Sequence, residues 1–315
     1  MAMQLDSSIL GALRCFEAAG RLLSFTKAAE SLNLTQSAVS QQIRHLEDRL
    51  GYALFVRQPR SLKLTPQGEV LFETTTRALH DIQQTIQRLG MPNAPLQVNC
   101  LPSFALQWLM PRLTDFHREQ PDVSVRLKAE FQALDRQSMD TEDIDVAVRY
   151  DPVRYSRLHA DVLLDEYLIP VATPEYLAEH RELAEGTSLD GVVLLHDASP
   201  WVGAAEFVEW RTWIEAFHPT WMAHLEGPQF NLSSLAISAA LNHQGVAMGR
   251  TALVYDEIRS GRLVNVFRQH VRAPARYMLL SRNPDDRRVT IFSAWLKAEC
   301  ARFDAMRMET LSRDR

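Results

Sequence analysis

Five polar residues on one predicted helix carry the first chemical signal. Thr35 is placed to cap a helix in which Val39, Ile43, Leu46 and Leu50 recur four, three and four residues apart, forming one buried stripe. At about 100° per residue the opposite face presents Ser37, Ser40, Gln41 and Arg44, with Gln36 at its N-terminal edge. Hydroxyls, amides and a guanidinium on one exposed helix face are the groups that hydrogen-bond base edges in the DNA major groove. The same pattern also fits an amphipathic helix whose polar face meets only water. Before it, Ser24 is expected to cap a short helix, Phe25 to Leu32, packed through Ala28, Ala29 and Leu32. Ser24 and Thr26 at that helix start join the candidate nucleic-acid contacts. After it, Leu54 to Arg57 and Leu62 to Thr65, joined through Pro59-Arg60-Ser61, read as a small hairpin. Arg57, Arg60 and Lys63 on this wing would lie along phosphates, where they position a protein without reading sequence.

A second set of residues could recognise a small ligand. In α/β architectures ligands sit beyond the carboxyl ends of strands, near helix N-termini that attract anions. Ser103 follows a strand opened by Leu96-Gln97-Val98 and starts a helix, which it is expected to cap; it is also a candidate ligand contact. Ser233, preceded by Phe230 and Asn231, stands in the same relation to a later helix. Arg149 ends a strand, and its fork could clamp a carboxylate or form a structural ion pair with a nearby acid. Phe131, Trp201 and Phe230 are candidate pocket walls, whereas Trp210, Trp213 and Trp221 read as core.

Catalytic patterns do not accumulate. Ser24-Phe25-Thr26-Lys27 fits S-x-x-K, but neither S-D-N nor K-T-G accompanies it. G-x-S-x-G, H-E-x-x-H, P-loop and G-x-G-x-x-G motifs are missing from the sequence. His196, His224 and His243 are the histidines that could converge, and the acidic run from Asp140 to Asp145 lacks the glycine spacing of a calcium loop. Cys15, Cys100 and Cys300 are far apart, with no C-x-x-C pair. Enzymatic activity, a metal centre and a resident cofactor are therefore not expected.

The elements that must position these groups follow from periodicity. The 315 residues suggest about two domains. Residues 1–65 carry eight Lys and Arg against five Asp and Glu, a charge of +3; the rest carries 26 against 34, or −8, so only the small end suits a polyanion. A first helix is expected over Ser8 to Gly20 with Leu10, Leu13 and Phe16 on one stripe. A long helix runs from Pro66 to Leu89, in which Thr75, Leu79, Ile82, Ile86 and Leu89 make a heptad-like seam, and Gly90 to Pro95 ends it as a hinge. Strands at 96–98, 123–127 and 144–149 alternate with helices, which implies a mostly parallel sheet. Apolar strands at Leu168 to Val171 and Leu263 to Val266 are where a chain could cross between two lobes. No apolar run approaches the roughly 18 residues of a membrane span, and no secretion signal opens the sequence, so a cytoplasmic location is expected.

The run from Phe25 to Gly68 resembles the DNA-binding domain of LysR-type transcriptional regulators. The matching residues are Ala28-Ala29, Leu32, Thr35-Gln36, Val39-Ser40, Ile43, Leu46-Glu47, Leu50-Gly51, Leu54-Phe55, Arg57, Leu64-Thr65 and Gly68. Gln41 stands where several members carry Arg, so an operator sequence does not transfer. Asp143 to Tyr150, Ser233 to Ala236 and Gly245 to Arg250 are most similar to the branch containing the glycine-cleavage and β-lactamase activators. The resemblance implies an α/β chain with a winged helix-turn-helix at residues 1–65, a linker helix and hinge at 66–94, and an effector domain at 95–302. That domain would have the two-lobed fold of periplasmic solute-binding proteins, with lobe 1 near 95–166 and 267–302, lobe 2 near 167–266, and a tail at 303–315. It further implies that the linker pairs two subunits as a homodimer or homotetramer on an interrupted palindrome of double-stranded DNA. A small effector, with a carboxylate as the candidate class, would sit between the lobes, and RNA polymerase is a further candidate partner. The competing reading is a solute sensor that never touches DNA; it leaves the basic wing unexplained.

Overall fold

The computed structural model describes residues 6–58, 61–90, 94–152, 155 and 158–313, and the chain divides into two compact units, Met1–Pro92 and Asn93–Arg315. In the first unit, helices α1 (Ser7–Leu22), α2 (Phe25–Leu32) and α3 (Gln36–Leu50) precede a hairpin of β1 (Phe55–Gln58) and β2 (Ser61–Leu64), then the long α4 (Pro66–Gly90). Each of the first three helices starts on a side-chain cap: Asp6 accepts from the Ile9 amide, Ser24 from Lys27 and Thr35 from Ala38. Each ends on a left-handed residue: Leu23, Asn33 and Gly51. Val39, Ile43 and Leu46 of α3 are buried as their spacing predicts, under Phe16, Phe25 and Phe55, whose rings meet edge to face. On α1 Phe16 is buried and Leu13 packs half-buried on the core as expected, but Leu10 is exposed; Ile9, Ala12 and Ala19 complete the buried stripe, the alanines letting α2 and α3 approach closely.

The second unit is built on one nine-stranded sheet ordered β4-β3-β5-β11-β6-β9-β7-β8, with β10 pairing beside β6. These strands are β3 (Leu96–Cys100), β4 (Val125–Ala129), β5 (Val146–Asp151), β6 (His159–Ala172), β7 (Leu194–Asp197), β8 (Gln229–Phe230), β9 (Val246–Arg250), β10 (Val264–Asn265) and β11 (Val271–Ser281). The sheet is mixed, not mostly parallel. β3 is parallel to β4 and β5, and β7 to β8 and β9, but β6 and β11 run antiparallel to their neighbours. These two long strands join the halves: β6 pairs with β11 along its first part and with β9 along its last. The return crossing is made by β11, with a register shift between Arg272 and Arg276. Leu263 to Val266 supplies only the two-residue β10.

Helices cover the faces. A continuous helical run consists of α5 (Pro102–Phe104), a π-turn at Ala105–Leu109, and α6 (Met110–Glu119). Then come α7 (Arg136–Thr141), α8 (Pro174–Glu179), α9 (Arg181–Ala184), α10 (Val208–Phe217), α11 (Ser233–Leu241), α12 (Thr251–Arg259) and α13 (Arg287–Arg313). Residues 303–313, expected as a tail, continue α13 and bury Phe303, Arg307 and Leu311, so this end is part of the core. Among the described residues no helix is long and apolar enough to cross a membrane.

Candidate functional site

In the first unit the exposed face of α3 carries the candidate reading residues. Gln36, Ser37, Gln41 and Arg44 are exposed and Ser40 is half-buried, while Val39 and Ile43 anchor the helix from beneath. The Thr35 hydroxyl caps α3 and lies 3.0 Å from Ser37 Oγ. Thr26 is exposed at the start of α2, and Ser24, which caps that helix, still has its hydroxyl hydrogen to offer a phosphate. The wing is held to α3 by Glu47, whose Oε1 accepts from the backbone amides of Leu54 at 2.7 Å and Phe55 at 3.2 Å. Sequence reasoning used Glu47 only as part of a resemblance; its carboxylate is what locks the wing to the reading helix. On the other side of the wing base, Thr65 Oγ1 donates to the Ala53 carbonyl and accepts from the Gly68 amide. A Cβ at Gly68 would sit 2.2 Å from the Leu54 carbonyl oxygen, so α4 can start here only on glycine. Lys63 is exposed on β2 opposite Val56, and Arg57 lies opposite Leu62 in the register. Arg60 lies outside the described residues.

In the second unit a narrow cleft of about 280 Å³, counted to its open mouth, lies at the carboxyl ends of β3, β7 and β9. Of the predicted contacts Ser103, Phe131 and Ser233 line it. Ser103 does not cap its own helix: its Oγ accepts from the Ser234 amide at 2.9 Å, a bond between α5 and the start of α11. Ser233 is the first residue of α11, is buried, and its Oγ has no hydrogen-bond partner.

Arg149, Trp201 and Phe230 do not line the cleft. Among the described residues Arg149 makes no ion pair. Its buried guanidinium donates to Asn99 Oδ1 at 2.7 Å and to the carbonyls of Gln132 and Val148, because its strand position faces it into the β4–β5 side. Trp201 packs edge-on against Tyr150 5.9 Å away, and Phe230 belongs to the short β8, its carbonyl accepting from Ala198.

The cleft's cation is Arg250, the last residue of β9, which the strand-end rule could have found. Its Nε donates to Glu209 at 2.8 Å and its Nη2 to Asp197 at 2.8 Å, while its guanidinium lies 4.1 Å over the Tyr150 ring. Burial alone would lower the Arg250 pKa, but Glu209 and Asp197 overcome it and hold the charge firmly. Burial pushes Glu209 above the usual carboxylate range against the pull of Arg250, and burial raises both Tyr150 and Tyr277. Asp197 at the end of β7, Tyr277 within β11 and the loop residues Ser199 and Asn231 also line the cleft and were missed, since strand alternation does not say which positions meet at a cleft and loop residues carry no periodic signal.

The histidines suspected of converging have separate surroundings. His243 Nδ1 pairs with Thr173 Oγ1 at 2.7 Å, and His196 is buried against Phe207. Among the described residues no three metal-ligating side chains gather. All three cysteines are free and buried, and burial pushes the thiols of Cys100 and Cys300 up to about 12.

Comparison with known proteins assigns families to both units. Residues 10–69 match the bacterial regulatory helix-turn-helix protein, lysR family, and residues 90–301 match the LysR substrate binding domain. The chain is 36% identical over 297 residues to the glycine cleavage system transcriptional activator of Escherichia coli strain K12, covering 93% of this chain and 94% of that protein. Among solved structures it is similar to ArgP from Mycobacterium tuberculosis, with TM-score 0.57 and 20% identity over 94% of this chain and 98% of that one. It is also similar to the effector domain of the transcriptional regulator AmpR of Pseudomonas aeruginosa, with TM-score 0.56 and 24% identity over 68% of this chain and all of that one.

Proposed function

The chain belongs to the LysR family of transcriptional regulators, and from that premise we propose that it binds an interrupted palindromic operator as a symmetric oligomer. It is a DNA-binding regulator with an effector-binding domain. The observation that carries the proposal is the α3 face: Gln36, Ser37, Gln41 and Arg44 stand exposed on a helix whose other side is locked into the core. Ser24, Thr26, Thr35 and Ser40 contribute phosphate and edge contacts, and Arg57, Arg60 and Lys63 on the wing contribute phosphate contacts.

The oligomeric part rests on α4. Ile82 and Ile86 are among the most exposed large apolar residues of the first unit, at 55% and 64%, on the same seam as Leu79. An apolar seam at heptad spacing is stable in water when a second copy covers it. Two reading helices related by a two-fold axis then select half-sites at a fixed separation. A small effector enters the cleft lined by Ser103, Phe131 and Ser233. It shifts the balance between open and closed lobes only insofar as it binds one arrangement more tightly.

Selection of bound fragments from randomised DNA at physiological salt tests this reading. Enrichment of an interrupted palindrome is expected. Recovery of no motif by the folded protein, with or without added metabolites, would count against operator binding and favour a solute sensor.

A further inference from the structure

We propose that the effector is a small zwitterion, an α-amino acid, rather than a simple carboxylate or a dicarboxylate; this rests on the reading that the cleft is the effector site. At one end of the cleft the described lining residues offer hydrogen-bond donors but no basic side chain. Ser233 Oγ is buried, unpartnered and placed at the first residue of the nine-residue α11, where the helix dipole favours negative charge. No other residue's side chain caps this helix start. A carboxylate accepting from Ser233 would occupy the position, and the neighbouring Ser234 amide, which Ser103 Oγ now engages, shows that donors there are usable.

The positive charge expected to complete a carboxylate site is already spent. Arg250 lines the cleft, but Asp197 and Glu209 each take one of its nitrogens at 2.8 Å. With both acids ionised the trio carries one net negative charge; with Glu209 protonated it is neutral. In neither state do the described residues that line the cleft offer a free cation to hold a bare anion, and a second carboxylate on the ligand would face Asp197. Asp197 accepts from Arg250 through Oδ2 and from the Ser199 amide through Oδ1, and each oxygen keeps a lone pair. Its side chain is only 6% exposed yet lines the cleft, so an approaching ammonium would be bound in a poorly hydrated setting where charge-assisted hydrogen bonds are strong. A ligand with a carboxylate for the α11 end and an ammonium for Asp197 satisfies both ends and brings no net charge.

The test uses the full-length protein in isothermal titration against both enantiomers of the standard amino acids, together with acetate, lactate and succinate. For the tightest amino acid, its α-hydroxy acid and its decarboxylated amine follow. At least one amino acid is expected to bind, with the hydroxy acid and the amine each weaker by about tenfold or more, as loss of a charged hydrogen bond implies. Asp197→Asn is expected to weaken the amino acid by a similar factor. Ser233→Ala, which leaves the ion cluster intact, serves as the second variant should Asp197→Asn fail to fold. A hydroxy acid or succinate binding as tightly as any amino acid overturns the zwitterion while leaving the cleft reading in place. An amino acid that binds Ser233→Ala and Ser103→Ala as tightly as the parent overturns the cleft reading itself. Silence across the whole amino-acid panel also overturns the proposal.

Discussion

Glu166 on β6 has no solvent exposure, and its charge is held by a set of donors from three elements. Arg307 of α13 donates to it at 3.0 Å, the Tyr167 and Ala252 amides at 2.8 and 3.2 Å, and the Thr251 hydroxyl completes the set. Burial pushes the Glu166 pKa upward, opposed chiefly by Arg307. Arg307→Ala would leave a buried carboxylate uncompensated, at a cost of about 3–5 kcal/mol. A carboxyl whose folded pKa lies above its unfolded value contributes stability at low pH that is lost as pH rises. The deficit of Arg307→Ala in denaturant unfolding is therefore expected to be larger at pH 7.5 than at pH 5; equal deficits would show that Glu166 is not left charged. His196 works in the opposite sense. Burial lowers it to about 4 despite the Leu225 carbonyl beside it, so the unfolded chain takes up a proton first. Stability should decline as pH falls from about 6.5 towards 4, and His196→Gln should flatten that part of a melting-temperature profile. Neither residue was legible as special in sequence: a lone Glu in an apolar strand and a scattered His acquire their roles from partners far along the chain.

At the scale of elements, α3 and the wing divide the work in the proposed DNA complex. The α3 face meets base edges in the proposed complex, and the wing meets phosphates. Gln36→Ala and Gln41→Ala should each lower the preference for the operator by about 1–3 kcal/mol while sparing most nonspecific binding. Lys63→Ala should weaken binding to every sequence and reduce the slope of affinity against salt by about one. Gel shifts with operator and random DNA at several salt concentrations separate the two, and identical behaviour of the groups would end the division. The helices were legible because a 3.6-residue period and capping residues are local signals. The error on α1 has a local cause too: its large apolar side chain drew the stripe to Leu10, whereas alanines decide which face a neighbouring helix can approach.

For the whole molecule, the exposed α4 seam and the cleft set the two remaining expectations. Ile82→Asp combined with Ile86→Asp should convert the oligomer to monomers in sedimentation and lower operator affinity, because one reading helix then binds alone. A double variant that keeps its mass would remove α4 as the pairing face. The proposed effector response runs through the halves of the sheet joined by β6 and β11, with Ser103 bonded to the start of α11 at the cleft. By itself the sequence determined the winged helix-turn-helix, the long linker helix, the α/β character of the second unit and the family, since each rests on short-range spacing. It also pointed to Ser103 and Ser233, which both line the cleft, because the ends of strands and the starts of helices are marked locally; the cap expected of Ser103 is not formed. Only the tertiary structure decided that the sheet is mixed, that β11 makes the return crossing and that α13 runs on through Arg307. It alone decided that, among the described residues, Arg250 lines the cleft and Arg149 does not. Those outcomes depend on which strands become neighbours and which buried charges find partners across 41 to 141 residues of chain, a choice made by packing and desolvation that no local pattern records.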